Sequence, residues 1–250
     1  MVLMMASAAH AEVKTERIEY RHGDTLLEGY LAYDDSISGK RPGVIVVQEW
    51  WGLNDYAEHR AEQLASLGYV AFALDMYGKG KVTSDAKQAG EWAGAFRNDR
   101  RLCRARAAAG LEVLKKRPRV DPTRIAAIGY CFGGMVVLEM ARAGDDLKGV
   151  VSFHGGLSTP NPDDARNIRA KVLVLHGADD PFESAAEITG FQEEMRRAGV
   201  DWQMVYYGGA VHAFTNPDAG KAGIKGVAYN EAADRRSWLA MRSFFDEIFR

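Results

Sequence analysis

Short, continuous apolar runs alternate along the chain with segments of helical periodicity. Val44 to Val47 is four apolar residues in a row, the pattern of a strand buried on both faces. Tyr69 to Leu74, Arg124 to Gly129, Val150 to Phe153 and Lys171 to Leu175 repeat it, and Trp202 to Tyr207 adds a further strand. Helices fill the gaps. Asn54 is placed to cap one that ends at Gly68, and Arg101 to Lys116 reads as another, stopped before Pro118. Met135 to Arg142 is helical, and Ser184 with Glu187 has the spacing of a capping box that opens a helix to about Ala198. Asn230 caps a last helix on which Trp238, Met241, Phe244, Phe245 and Ile248 recur along one face. The start differs: Arg17 to Tyr20 and Leu26 to Tyr33 flank a Gly23-Asp24 turn, the mark of a hairpin.

Repeated strand–helix units predict one α/β domain, a mainly parallel central sheet with helices on both faces, over residues 16–250. The 250-residue length allows one large domain, and no repeat or linker divides it. In such sheets chemistry collects at the carboxyl ends of the strands. That rule selects Gln48 to Gly52, Asp75 to Lys79, Gly129 to Gly134 and Gly177 to Asp180.

Composition mainly excludes. Thirty-two basic against 34 acidic residues leave a net charge of −2, so no basic field holds nucleic acid. No apolar run approaches the ~18 residues a membrane span needs. Neither a phosphate loop nor metal-ligand spacing occurs, and the two cysteines form no CxxC. Neither cofactor nor metal is expected, and a monomer or a small homo-oligomer fits equally. Residues 1–15 read as a tail. Ala9-His10-Ala11 has the form of a signal-peptidase site but lacks a basic region before it. A signal-peptide remnant (periplasmic or secreted protein) and a frayed tail (cytoplasmic protein) both stay open.

The candidate chemistry starts at Gly129-Tyr130-Cys131-Phe132-Gly133-Gly134, which follows a strand and opens a helix. This is a G-x-S-x-G nucleophile elbow with Cys in the serine place. The tight turn needs small residues two before and two after the nucleophile, and Gly129 and Gly133 supply them. The thiol then sits at a helix N-terminus, where partial positive charge favours thiolate, and the Phe132 N–H faces a developing oxyanion. A buried structural cysteine is the plainer alternative. Cys103 lies mid-helix between arginines and reads as structural.

A nucleophile of this kind needs a histidine, and the histidine a carboxylate. His212 lies in the loop after the last strand. His176-Gly177-Ala178-Asp179-Asp180-Pro181 follows the strand before. The chain order Cys131, Asp180, His212 is nucleophile–acid–histidine. Asp179 competes with Asp180, which the Gly-x-x-Asp-Pro spacing favours. His154 and His176 also end strands, within reach of the site rim.

These segments, with Gln48-Glu49-Trp50-Trp51-Gly52-Leu53-Asn54 and Asp75-Met76-Tyr77-Gly78-Lys79, resemble the dienelactone hydrolase (carboxymethylenebutenolidase-like) family of α/β hydrolases. The resemblance implies a thiol-dependent hydrolase of a small-molecule lactone or ester, working through a thioester acyl-enzyme. Cys131 would be the nucleophile, His212 the base and Asp180 its orienter. Glu49 would be the glutamate beside the resting thiol (a solvated loop acid is the alternative), and the Trp50 and Phe132 N–H groups the oxyanion hole. Two arginines that hold a substrate carboxylate in the family are replaced by Lys79 and by Asn216. Trp51, Tyr77 and Phe214, with Trp50, are candidate substrate contacts. A general small-ester or thioester hydrolase, and a non-catalytic binding or redox-sensing thiol protein, remain as rivals.

Overall fold

The computed structural model describes residues 13–250. The Ala9-His10-Ala11 motif lies outside them. An eight-stranded sheet runs through the molecule. Its strands are β1 (Val13–His22), β2 (Thr25–Asp34), β3 (Arg41–Val47), β4 (Val70–Leu74), β5 (Val120–Tyr130), β6 (Gly149–Phe153), β7 (Lys171–Gly177) and β8 (Trp202–Tyr207). The spatial order is β1-β2-β4-β3-β5-β6-β7-β8. β1 and β2 form the hairpin and run antiparallel to their neighbours; all other pairings are parallel. Val13 to Thr15 pair with Asp34 to Ala32 in that hairpin, so the strand begins before the residue-16 boundary read from the sequence.

Six helices cover the sheet: α1 (Asp55–Ser66), α2 (Ala86–Asn98), α3 (Arg100–Lys115), α4 (Phe132–Arg142), α5 (Ala185–Ala198) and α6 (Glu231–Ile248). The caps read from sequence are present. Asn54 accepts from Ala57 N and Asn230 from Ala233 N, and Ser184 with Glu187 closes a reciprocal capping box. Strand alternation sorts the core into two layers. Ile45, Val47, Phe72 and Leu74 face α2, α3, α4 and α5. Val44, Val46, Ala71 and Ala73 face α1 and α6, whose Leu64, Met241 and Phe245 close that side. The parallel strands are buried on both faces, which is why they read as unbroken apolar runs.

Other elements also differ from the pattern, and β5 starts at Val120 rather than Arg124. α4 starts at Phe132 rather than Met135, because two glycines of low helix propensity fill its first turn. Residues 86–98 form α2, capped by Asp85, with Ala89, Ala93 and Phe96 buried against the core. Among the described residues no helix is long and apolar enough to cross a membrane.

Candidate active site

β5 delivers Cys131 to the head of α4 in a strained conformation, φ 52° and ψ −113°. A non-glycine residue rarely adopts a positive φ, and such strain collects at functional sites. The flanking glycines make the turn possible. A Cβ on Gly129 would lie 2.0 Å from the Gly133 carbonyl oxygen, and one on Gly133 would lie 2.2 Å from that of Val47. The elbow is thus pressed against the end of β3. The Cys131 N–H donates to Phe153 O at 3.0 Å and to His154 Nδ1 at 3.1 Å.

The loop after β8 brings His212 to the thiol. Its Nε2 is 3.0 Å from Cys131 Sγ, and its Nδ1 is 2.8 Å from Asp180 Oδ2. The second Asp180 oxygen accepts from Phe182 N at 2.9 Å. Asp179 turns elsewhere and accepts from Gly209 N at 2.9 Å. Burial opposes a charge on His212, but the Cys131 sulfur and the Asp180 carboxylate outweigh it and hold the imidazole well above its usual range. Thiol, imidazole and carboxylate in line can pass a proton from sulfur to ring and keep the ring charged.

Glu49 follows β3 and is buried. Desolvation pushes its carboxyl up to about 7, against the Asn216 hydrogen bond at 2.6 Å and the nearby His212. It lines the same cavity as Cys131, yet its hydrogen bond goes to Asn216 and not to the thiol. That cavity measures about 750 Å³. Trp50 and Trp51 line it, their ring centroids 4.8 Å apart, as do Phe132 and Phe182, whose ring meets His212 edge-on at 5.1 Å. Trp50 and Phe132 share the cavity wall with Cys131, and Phe132 N–H is one of the unpaired donors of the first turn of α4.

Three expected substrate contacts are corrected. Lys79 is outside the cavity, its ammonium taken up by Glu19 and, at 3.0 Å, by Glu28 of the hairpin. Tyr77 lies beneath the lining, packed on Trp92 and Phe132, and its hydroxyl donates to Trp50 O at 3.1 Å. Phe214 is core, fully buried against His154 and Tyr207. Trp51 does line the cavity.

Other residues had no signal, or a misleading one. His154 is under the site rather than at its rim. Desolvation holds it well below the usual histidine range, so the ring is neutral. Its Nδ1 accepts from Cys131, so Nε2 carries the hydrogen and donates to Thr215 Oγ1 at 2.7 Å. Thr215 continues to Tyr56, 2.6 Å away, and Arg60 bridges Thr215 O and Asp234. His176 is buried against Tyr206, away from the thiol. Arg97 and Arg100, from the α2–α3 corner, line the cavity wall. Nothing in their linear surroundings marks them. Among the described residues no group of His, Cys, Asp and Glu could hold a metal ion.

The fold has known counterparts. The crystal structure of a dienelactone hydrolase-like promiscuous phosphotriesterase from metagenomic libraries matches with a TM-score of 0.93 and 44% identity, covering 95% of this chain and 99% of that one. "Protein usf" of Aquifex pyrophilus is 28% identical over 237 residues, 93% of this chain and 98% of that protein. A "Putative carboxymethylenebutenolidase" of Aquifex aeolicus is 26% identical over 209 residues, 80% of this chain and 87% of that protein. The model of the dienelactone hydrolase family matches residues 27–249. That span runs from β2 to the end of α6 and takes in the elbow, the acid loop and the histidine loop, so this chain belongs to the dienelactone hydrolase family.

Proposed function

We propose that this member of an ester- and lactone-hydrolase family is a cysteine-nucleophile hydrolase with Cys131, His212 and Asp180 as its catalytic triad. The observation that carries the reading is the line of contacts at the cavity wall, Sγ to Nε2 at 3.0 Å and Nδ1 to the Asp180 carboxylate at 2.8 Å. Cys131 Sγ attacks the carbonyl carbon as His212 Nε2 takes the thiol proton. The C=O electron pair moves to oxygen, which the Trp50 and Phe132 N–H groups face. Collapse breaks the C–O bond, and the departing alkoxide or enolate takes the proton from His212. In a lactone it stays tethered to the acyl chain. Water then attacks the thioester with His212 as base, and sulfur leaves and is reprotonated. Asp180 fixes the ring and balances its charge in both halves.

The test is hydrolysis of 4-nitrophenyl acetate and of a muconolactone-type dienelactone, with and without iodoacetamide. Turnover of either, abolished by alkylation of Cys131 and in Cys131→Ala, supports the mechanism. Full activity in Cys131→Ala ends it. A second reading comes from the phosphotriesterase neighbour at 44% identity: the same thiol attacking phosphorus of a neutral triester. Assaying a 4-nitrophenyl dialkyl phosphate beside the esters ranks the two.

A further inference from the structure

We infer that His154 is a positioning residue of the proposed reaction: its buried imidazole ties the turn that carries Cys131 to the loop that carries His212. The inference rests on the hydrolase reading and adds to it a residue that is fully buried and stands outside the cavity wall.

Among the described residues three non-glycine residues have a positive φ: Cys131 at 52°, His154 at 40° and Ala213 at 57°. They meet in one place. Tyr130 and Phe153 pair across β5 and β6, so Cys131 and His154 are the next residues at the ends of neighbouring strands. Ala213 follows His212. Such backbone persists where its surroundings hold it, and it gathers at functional sites. Two of the three belong to the segments that carry the thiol and the base; the third is His154.

The Cys131 N–H is shared between Phe153 O and His154 Nδ1. An amide N–H only donates, so Nδ1 is the bare ring nitrogen and Nε2 carries the hydrogen that goes to Thr215 Oγ1 at 2.7 Å. One ring nitrogen therefore holds the elbow and the other the histidine loop. A protonated ring would have no nitrogen left to accept; burial and the neighbouring His212 keep it neutral. The same ring meets His212 edge-on at 5.4 Å and Phe214 edge-on at 5.1 Å. Arg60 fixes the far side of the tie by donating to Thr215 O at 2.7 Å.

Among the described residues, the one hydrogen bond made directly between the elbow, residues 129–134, and the histidine loop, residues 212–216, is Sγ to Nε2. In the proposed reaction that contact lapses once sulfur is acylated, because Nε2 then serves the leaving group and the incoming water. The bonds through His154 involve no reacting atom and persist through the cycle. They keep the base within reach of the thioester when its own link to sulfur is gone.

The experiment measures hydrolysis of 4-nitrophenyl acetate by His154→Phe, His154→Asn and His154→Gln, with a urea melt of each. Phenylalanine keeps a ring and drops both hydrogen bonds. An asparagine amide lies near the Nδ1 place and can accept from Cys131; a glutamine amide reaches the Nε2 place and can donate to Thr215. The expected kcat falls about a hundredfold in His154→Phe and about tenfold in each amide variant, with no rise in KM because no substrate contact is removed. Thr215→Val, which cuts the tie at its other end, should lower kcat about tenfold, and Thr215→Ser should restore it. Adding Thr215→Val to His154→Phe should cost nothing more, since the tie is already gone. A folded His154→Phe that keeps kcat within about threefold overturns the inference, whatever its urea midpoint. So does a loss that lies in KM, or losses that multiply in the double variant. If His154→Phe does not fold, Thr215→Val against Thr215→Ser decides, and equal kcat overturns it. A wild-type protein that hydrolyses no ester counts against the hydrolase reading instead. The tie is then judged by the rate at which iodoacetamide alkylates Cys131. A rate about tenfold lower in Thr215→Val than in Thr215→Ser supports it, because His212 no longer meets the sulfur; equal rates overturn it.

Discussion

Glu49→Gln should make the protein more stable, and more so as pH rises. The Glu49 carboxyl is buried and pushed up to about 7, from an ordinary 4.5. Between those values the folded state holds a proton that the unfolded chain has released. Stability therefore falls as pH rises from about 4.5 to 7, and above 7 the full penalty stands. At about 1.4 kcal/mol for each pH unit, the penalty is about 3 kcal/mol at pH 8 and about 1 kcal/mol at pH 5. A glutamine carries no charge and keeps an oxygen that Asn216 Nδ2 can donate to, so the substitution removes the penalty and retains the 2.6 Å hydrogen bond. Urea titrations of both proteins at pH 5 and pH 8 give four unfolding free energies. The advantage of the variant should grow by about 2 kcal/mol between the two pH values, because titrations common to both proteins cancel. An advantage that stays constant with pH would refute the reasoning: Glu49 would then be ionised in the folded protein across the whole range.

Further outcomes follow from single contacts. Asp180→Asn should lower kcat by about a hundredfold or more, because the His212 ring loses its charged partner, whereas Asp179→Asn, which touches only Gly209 N, should stay within about twofold. Steady-state kinetics on 4-nitrophenyl acetate reads both. Gly133→Ala sets a methyl 2.2 Å from the Val47 carbonyl and should cost about 1–3 kcal/mol in denaturant melts, with a loss of turnover as the elbow shifts off β3. Arg142→Met leaves two buried acids, Glu139 and Glu194, short of their partner and should cost about 3–5 kcal/mol by the same melts. Iodoacetamide at pH 8 should label the native protein at Cys131 alone, since Cys103 is buried and its thiol pushed up to about 12; peptide mass mapping reads the site.

The line from Cys131 to Asp180 was legible because each member has a local reason to be where it is. Cys131 needs a strained turn with glycines on both sides, and Asp180 and His212 follow successive strands, β7 and β8, and meet it at the carboxyl ends of the strands. Asp180 over Asp179 came from spacing with Pro181, and the structure turns the two side chains to different partners. Lys79, Tyr77 and Phe214 were misread because motif adjacency shows which loop a residue is on, but not which way its side chain points. Lys79 follows a strand end, yet the hairpin beside it presents Glu19 and Glu28, and two carboxylates take its charge.

By itself the sequence determined the layers of the sheet and helices and the glycine-flanked turn that sets Cys131 at the end of β5. These depend on periodicity, capping and steric demands that act over a few residues. Only the tertiary structure decided what surrounds the thiol. His154 passes under Cys131 because β6 lies beside β5; Asn216 meets Glu49, 167 positions away, because the histidine loop folds over the end of β3. Arg97 and Arg100 reach the cavity because α2 and α3 meet at a corner above it. Such contacts join residues far apart in the chain, and their energies depend on burial and on which charges share a cavity, neither of which a linear pattern encodes.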